Sequence, residues 1–347
     1  MSRWAWTGVL AVAMGLSAAA AAGQAEDKAL PRFWGDWEGT WKAGEGEEQE
    51  LVAQVIDWGK DGYQANLLAA FNKRIPPLVV LKGKREGETV TLTGRASKGP
   101  LDGTAWTATI TRPEGARLPK FEGTFAGGGQ AGTFALKRVV RLSPSLGKKP
   151  PEGAVVLFDG ESLDGWVRKG GRPCRWKLLD DGSMEVRGGG IISKHKFTDH
   201  RVHVEFRTPF LPNKRGQGRG NSGVYLQGRY EVQVLDSYGL EGRSNECGGI
   251  YGVGAPKVNM CAPPLQWQTY DITFRAPRFD DGGKLIKHAR MTVAHNGVVI
   301  HDDVRVPKPT TACWDRNIRQ PGGLHLQDHG NPVRYRNIWA VETEGEE

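Results

Sequence analysis

Along YEVQVLD, residues 230 to 236, side chains of opposite character alternate. A strand repeats every two residues, so Val232 and Val234 share one face and Glu231 and Gln233 the other. The same reading sets His203, Glu205 and Arg207 of RVHVEFRT opposite Val202, Val204 and Phe206. It also groups His325, Gln327 and His329 of LHLQDHG, and Arg334 with Arg336. A wet sheet face usually carries threonine, serine and lysine, whereas these edges repeat Glu, Gln, His and Arg. Carboxylates and histidines can move protons, and Gln and Arg form the directional bonds that sugar hydroxyls need. The pattern points to a carbohydrate-type binding face, with a plain solvated sheet as the alternative.

Catalysis on such a face requires Glu205 and Glu231 to meet in one hollow. Either could be the base, the other orienting the ligand or donating a proton, with His329 as a candidate acid. Gln233 and Gln327 would contact hydroxyl or carbonyl oxygens, and Asn221, Tyr225, Asp236, Tyr251 and Arg334 would complete the cleft. Structural roles compete: Asn221 and Asp236 could cap turns, and Tyr251 could fill a sheet corner. Hairpin register bears on this. A two-residue turn in QGRY sets Glu231 opposite Leu226 and Gln233 opposite Val224. A three-residue loop pairs Gln227 with Glu231 and Tyr225 with Gln233, which suits a polar cleft better.

The elements that must position these groups are almost entirely strands. The chain has 347 residues, enough for two domains with real cores. Its 48 glycines lie between short β-branched and aromatic runs, and helical periodicity is nearly absent. Residues 31–142 read as an all-β domain, a small antiparallel barrel or sandwich. It opens with FWGDWEGTW, whose tryptophans could plug a barrel end or stack on sugar rings. SPSLGKKPPEGA, about residues 143–153, reads as a linker. Residues 154–345 hold eight or more strand candidates and fit a two-sheet jelly roll.

Residues 1–23 have a basic start at Arg3, an apolar stretch and an alanine-rich cleavage zone near Ala22. This is the pattern of a cleaved signal peptide, so the chain is expected to be exported, periplasmic or secreted, with no integral membrane segment afterwards. Cys247 and Cys261 bracket a glycine-rich loop and are the preferred disulfide pair among four cysteines. The net charge of +8 is dispersed, so no nucleic-acid partner is expected. GQGRGN, residues 216 to 221, imitates part of a dinucleotide loop but lacks the following helix. His195, His200 and His203 lack a helical zinc-site spacing.

LFDGESLDGW, GNSGVYLQGRYEVQVLDSYG, GGIYG, QWQTYDITF, HNGVVIH and LQDHGNPVRYRNIW occur in this order. Together they resemble the 3-keto-disaccharide hydrolase domain family over about residues 154–345. The resemblance implies a concanavalin- or glucanase-like jelly roll acting on glycosides oxidised at C3. Such a ketone acidifies the C2 hydrogen, so a base could drive elimination of the glycosidic oxygen, followed by hydration. The chemistry needs a base near C2, a donor for the enolate oxygen and an acid for the departing oxygen. The expected ligand is a glycoside or oligosaccharide, and no cofactor is required. A divalent cation could polarise the C3 carbonyl, although no ligand cluster calls for one. Ordinary two-carboxylate hydrolysis and a non-catalytic, lectin-like sheet are the alternatives.

Overall fold

The computed structural model describes residues 32–343; the expected signal segment lies outside the described residues. No α-helix occurs among them, and no helix there is long and apolar enough to cross a membrane.

Eight antiparallel strands, from Gly35–Ala43 to Gln130–Val139, each pair with the next. The last pairs back with the first, Asp36 opposite Val139 and Ala43 opposite Gly132, which closes a barrel. Closure leaves no free sheet edge. Alternation turns Trp37, Trp41, Trp106, Phe121, Phe125 and Phe134 inward, where they fill the interior. Two of the three opening tryptophans are therefore barrel core. The third, Trp34, stacks on Phe210 of the following unit at 4.4 Å between ring centroids.

The second unit is a jelly-roll sandwich. One sheet has six strands, in the order Arg172–Pro173, Trp166–Arg168, Ile191–Ser193, His325–Leu326, Ser222–Leu226 and Tyr230–Val234. The other is built around Arg334–Glu342, His200–Arg207, Gln268–Arg275, Ala289–His295 and Val298–Val306. Val224, Leu226, Val232 and Val234 of the first meet Val202, Val204, Phe206 and Ile272 of the second in one core. Ile56 of the barrel is part of that same core.

Polar bonds also join the units. Asp36 accepts from Tyr238 Oη at 2.7 Å and from Arg141 Nε at 2.8 Å, and Asn66 donates to the Gly239 carbonyl at 2.7 Å. Arg215 and Arg219 both lie over the Trp58 ring. Cys247 and Cys261 come together in the core, but as free thiols rather than the expected disulfide.

Candidate active site on the six-stranded sheet

The hairpin loop is three residues long, Gln227–Arg229, but its register is neither of the two expected. Tyr225 pairs with Glu231 and Gly223 with Gln233. Gln227 and Gly228 both take positive φ, 51° and 67°, which completes the reversal one position earlier than in the expected three-residue loop. Glu231 and Gln233 still face away from the core, beside an aromatic ring and a glycine.

Three layers enclose Glu231. Beneath it, Gly223 makes room: a Cβ there would lie 2.5 Å from Glu231 Oε1 and 2.7 Å from the Tyr225 ring. Along the outer strand edge, Gln233 N–H donates to the Gly249 carbonyl and Tyr251 N–H to the Glu231 carbonyl. GGIYG thus covers an edge that would otherwise be open, and sets Tyr251 near Tyr225. Over the turn runs the loop following Val298–Val306. Buried Arg229 anchors it through Asp315 at 2.9 Å and the Gln320 carbonyl at 2.8 Å. Thr310 Oγ1 accepts from Glu231 N–H at 3.0 Å, and Trp314 N–H bonds the Gly228 carbonyl.

Glu231 is consequently 2% exposed. Burial pushes its carboxyl up to about 8, against a smaller downward pull from the Tyr225 hydroxyl. Gln233 suits either protonation state. Its NH2 turned toward Glu231 donates to Oε1 at 2.8 Å and to the Ser222 carbonyl at 3.1 Å. Turned the other way, it donates to Gln217 Oε1 at 3.0 Å and offers its oxygen to a protonated Glu231. Asn221 extends this network, donating to the Gln217 carbonyl at 2.9 Å.

On the same sheet opens a hollow of about 310 Å³, with Trp314, His325, Gln327, Arg168 and Asp328 in its lining; Glu231 is not part of that lining and lies across the Ser222–Leu226 strand from His325. Gln327 Nε2 donates to the Tyr225 hydroxyl at 3.0 Å, which links the hollow to the residue opposite Glu231. His325 packs between Tyr225 and Trp314, ring centroids 4.8 and 4.9 Å away. Its Nδ1 bonds the Ile191 carbonyl at 2.9 Å. A carbonyl only accepts, so Nδ1 carries the hydrogen and Nε2 keeps its lone pair. Burial lowers this imidazole to about 4, so it is a neutral acceptor at ordinary pH.

Glu231, Gln233, Tyr225, Tyr251, Asn221 and Gln327 are thus brought together. Four other candidates are not. Glu205 belongs to the second sheet and faces away from the shared core, so the expected meeting with Glu231 does not occur. It accepts from Arg336 Nε at 2.7 Å, Asn337 Nδ2 at 2.8 Å and Gly147 N–H at 2.5 Å, fastening the interdomain segment to that sheet. Burial alone would raise its carboxyl, but bonds from His203, Arg336 and Asn337 outweigh it and hold it below the usual range. Arg334, on the same sheet, pairs with Glu185 at 2.9 Å. Asp236 is buried against Arg219 at 2.6 Å, joining the sandwich to the barrel through Trp58. His329 is exposed on the loop after Gln327.

Sequence reasoning passed over Gln217, Trp314 and His325 as site residues. His325 had a signal, because it shares its edge with Gln327. Gln217 and Trp314 sit in loops, where no periodicity marks them. Among the described residues no three His, Cys, Asp or Glu side chains form a group that could hold a metal ion.

The arrangement is a jelly-roll sheet whose outer face carries a buried carboxyl of raised pKa and a hydrogen-bonding hollow. The family can be stated specifically: residues 153–341 match the 3-keto-alpha-glucoside-1,2-lyase-like domain, and the chain belongs to that family. A crystal structure from Parabacteroides distasonis, provisionally designated a glycosyl hydrolase, is 37% identical with a TM-score of 0.52, covering 56% of this chain and 85% of that one. A second from the same organism, designated likewise, is 20% identical with a TM-score of 0.43, covering 56% and 95%, and adds nothing to the argument. No curated protein matches the chain.

Proposed function

We propose that this protein is an exported, carbohydrate-active enzyme that cleaves the glycosidic bond of 3-keto-glycosides. Family membership supports the class of chemistry. The observation that carries the mechanism is the carboxyl of Glu231, buried opposite Tyr225 and lifted to about 8. A base tuned near neutrality suits abstraction of a hydrogen already acidified by a ketone.

In this mechanism Glu231 takes the proton from C2, and the C–H electron pair forms the enolate of the C3 ketone. The enolate collapses to a C1=C2 double bond and expels the glycosidic oxygen. Glu231, now protonated, supplies the departing oxygen with its proton. Water then adds its hydroxyl to C1 and a hydrogen to C2, so the net change is hydrolysis. Gln327, with one amide hydrogen on the Tyr225 hydroxyl and one to spare, is the donor for the developing oxyanion, and Trp314 offers an apolar ring to a sugar face. Two-carboxylate hydrolysis loses its expected second acid, because Glu205 faces outward from the other sheet.

The test compares a chromogenic 3-keto-glucoside with its unoxidised twin in heavy water. The proposal expects release from the keto substrate alone, with deuterium at C2 of the sugar. Release without deuterium removes the elimination step. Saturable binding with release from neither returns the sheet to a lectin-like role.

A further inference from the structure

The rim of the hollow is strongly cationic. Arg168, Lys169 and Arg172 line it at one corner of the six-stranded sheet. Arg175 stands close by, near enough that, after desolvation, its charge and that of Arg172 both weaken the hold of Arg168 on its proton. Elsewhere four buried or half-buried arginines are matched to carboxylates: Arg219 to Asp236, Arg229 to Asp315, Arg278 to Asp199 and Arg336 to Glu205. Among the described residues no ion pair engages Arg168, Lys169, Arg172 or Arg175. Arg168 and Arg172 bond only carbonyls, those of Pro173, Gly188 and Lys169.

One carboxylate, Asp328, shares the lining, but it is already committed. Its oxygens accept from Gly189 and Gly330 N–H, both at 2.7 Å, which fixes the loop wall, and its single negative charge offsets only part of the three cations of Arg168, Lys169 and Arg172. Like charges held together repel one another unless an anion lies among them. An open, concave surface focuses their field on whatever enters. The neighbouring Trp314 ring and the Gln327 amide give the same space a sugar-compatible floor.

We propose that this hollow selects glycosides bearing an anionic group, a carboxylate, sulfate or phosphate, which Arg168, Lys169 and Arg172 hold while the sugar reaches Glu231. The inference rests on the reading of the hollow as the substrate site and names the substrate class. Guanidinium forks suit such anions, and Lys169 adds a mobile point charge.

The experiment uses two 3-keto-glucosides whose nitrophenyl leaving groups differ only in a ring carboxylate or its methyl ester. The carboxylate is expected to show roughly five- to tenfold higher kcat/KM at low salt, the advantage shrinking as ionic strength rises. In the K169Q/R172Q double variant the ratio of the two kcat/KM values should fall toward one. Equal values in the unaltered protein, insensitive to salt, would overturn the proposal.

Direct binding separates this idea from the one beneath it. Quenching of tryptophan fluorescence by glucuronate, glucose 6-sulfate and glucose 6-phosphate is compared with quenching by glucose. Tighter, salt-sensitive binding of the anions without any turnover would leave the anion site standing and remove the elimination chemistry. Turnover with no preference for anions would do the reverse. The order of the three ligands identifies the anion.

Discussion

Gly223 stands where any side chain would strike the carboxylate of Glu231, its absent Cβ only 2.5 Å from Oε1. Removal of a side chain on one strand thus sets the position of the reactive group on the next. Gly223→Ala should push that carboxylate aside, since the terminus of a glutamate yields more readily than backbone. The expected result is a loss of about 10²-fold in kcat. Thermal unfolding should reveal a stability change on the order of only 1–3 kcal/mol.

Glu231→Gln should abolish turnover, by about 10²–10⁴-fold, while ligand binding persists. In the unaltered protein the active base is the carboxylate, so kcat/KM should climb as pH rises toward and through about 8. A profile flat from pH 6 to 9 would exclude Glu231 as the base.

Stability should move in the opposite sense. Below pH 4.5 the carboxyl is protonated whether the chain is folded or not. Between 4.5 and about 8 the unfolded chain ionises first, so the folded state progressively loses ground as pH rises. E231Q removes that loss. Its melting temperature should match the parent near pH 4 and exceed it near pH 8, with a margin in unfolding free energy on the order of 4 kcal/mol. Calorimetry across that range checks it without any substrate.

Glu205 should behave as a structural residue. Glu205→Ala leaves Arg336 without its carboxylate and frees the backbone of Gly147. A loss of about 3–5 kcal/mol is expected, with faster proteolysis of residues 143–149. Turnover per folded molecule at low temperature should be retained. Because Glu205 and Asp271 are both held below their ordinary values, their contribution is lost as pH falls through those lowered values.

Trp314→Ala should weaken substrate binding more than chemistry. Loss of a partly exposed ring from the hollow is expected to raise KM about tenfold, with a smaller change in kcat. Substrate-induced fluorescence quenching should decline in the same variant.

Much of this was legible in the strands. Alternation in YEVQVLD and RVHVEFRT correctly divides each segment into core-facing and outward-facing residues. It does not say which of two sheets a strand joins, because every sheet has the same period. Glu205 and Glu231 therefore look alike in sequence and end on opposite outer surfaces. Register depended on Gln227 adopting a left-handed backbone, held there by side-chain bonds to the Phe197 and Thr198 carbonyls in the segment before His200–Arg207. Asp236 looked like a cleft residue because its partner, Arg219, reaches it through tertiary packing. Trp314 depends on Arg229 gripping a loop some 80 residues away, an arrangement with no local signature.

Ile56 extends from the wall of the barrel into the interior of its neighbour. A protein trimmed at the junction would carry a greasy scar on the sandwich and a matching one on the barrel. Each half, expressed alone, should therefore clump or need detergent, and the two modules are better regarded as inseparable lodgers than as beads on a string.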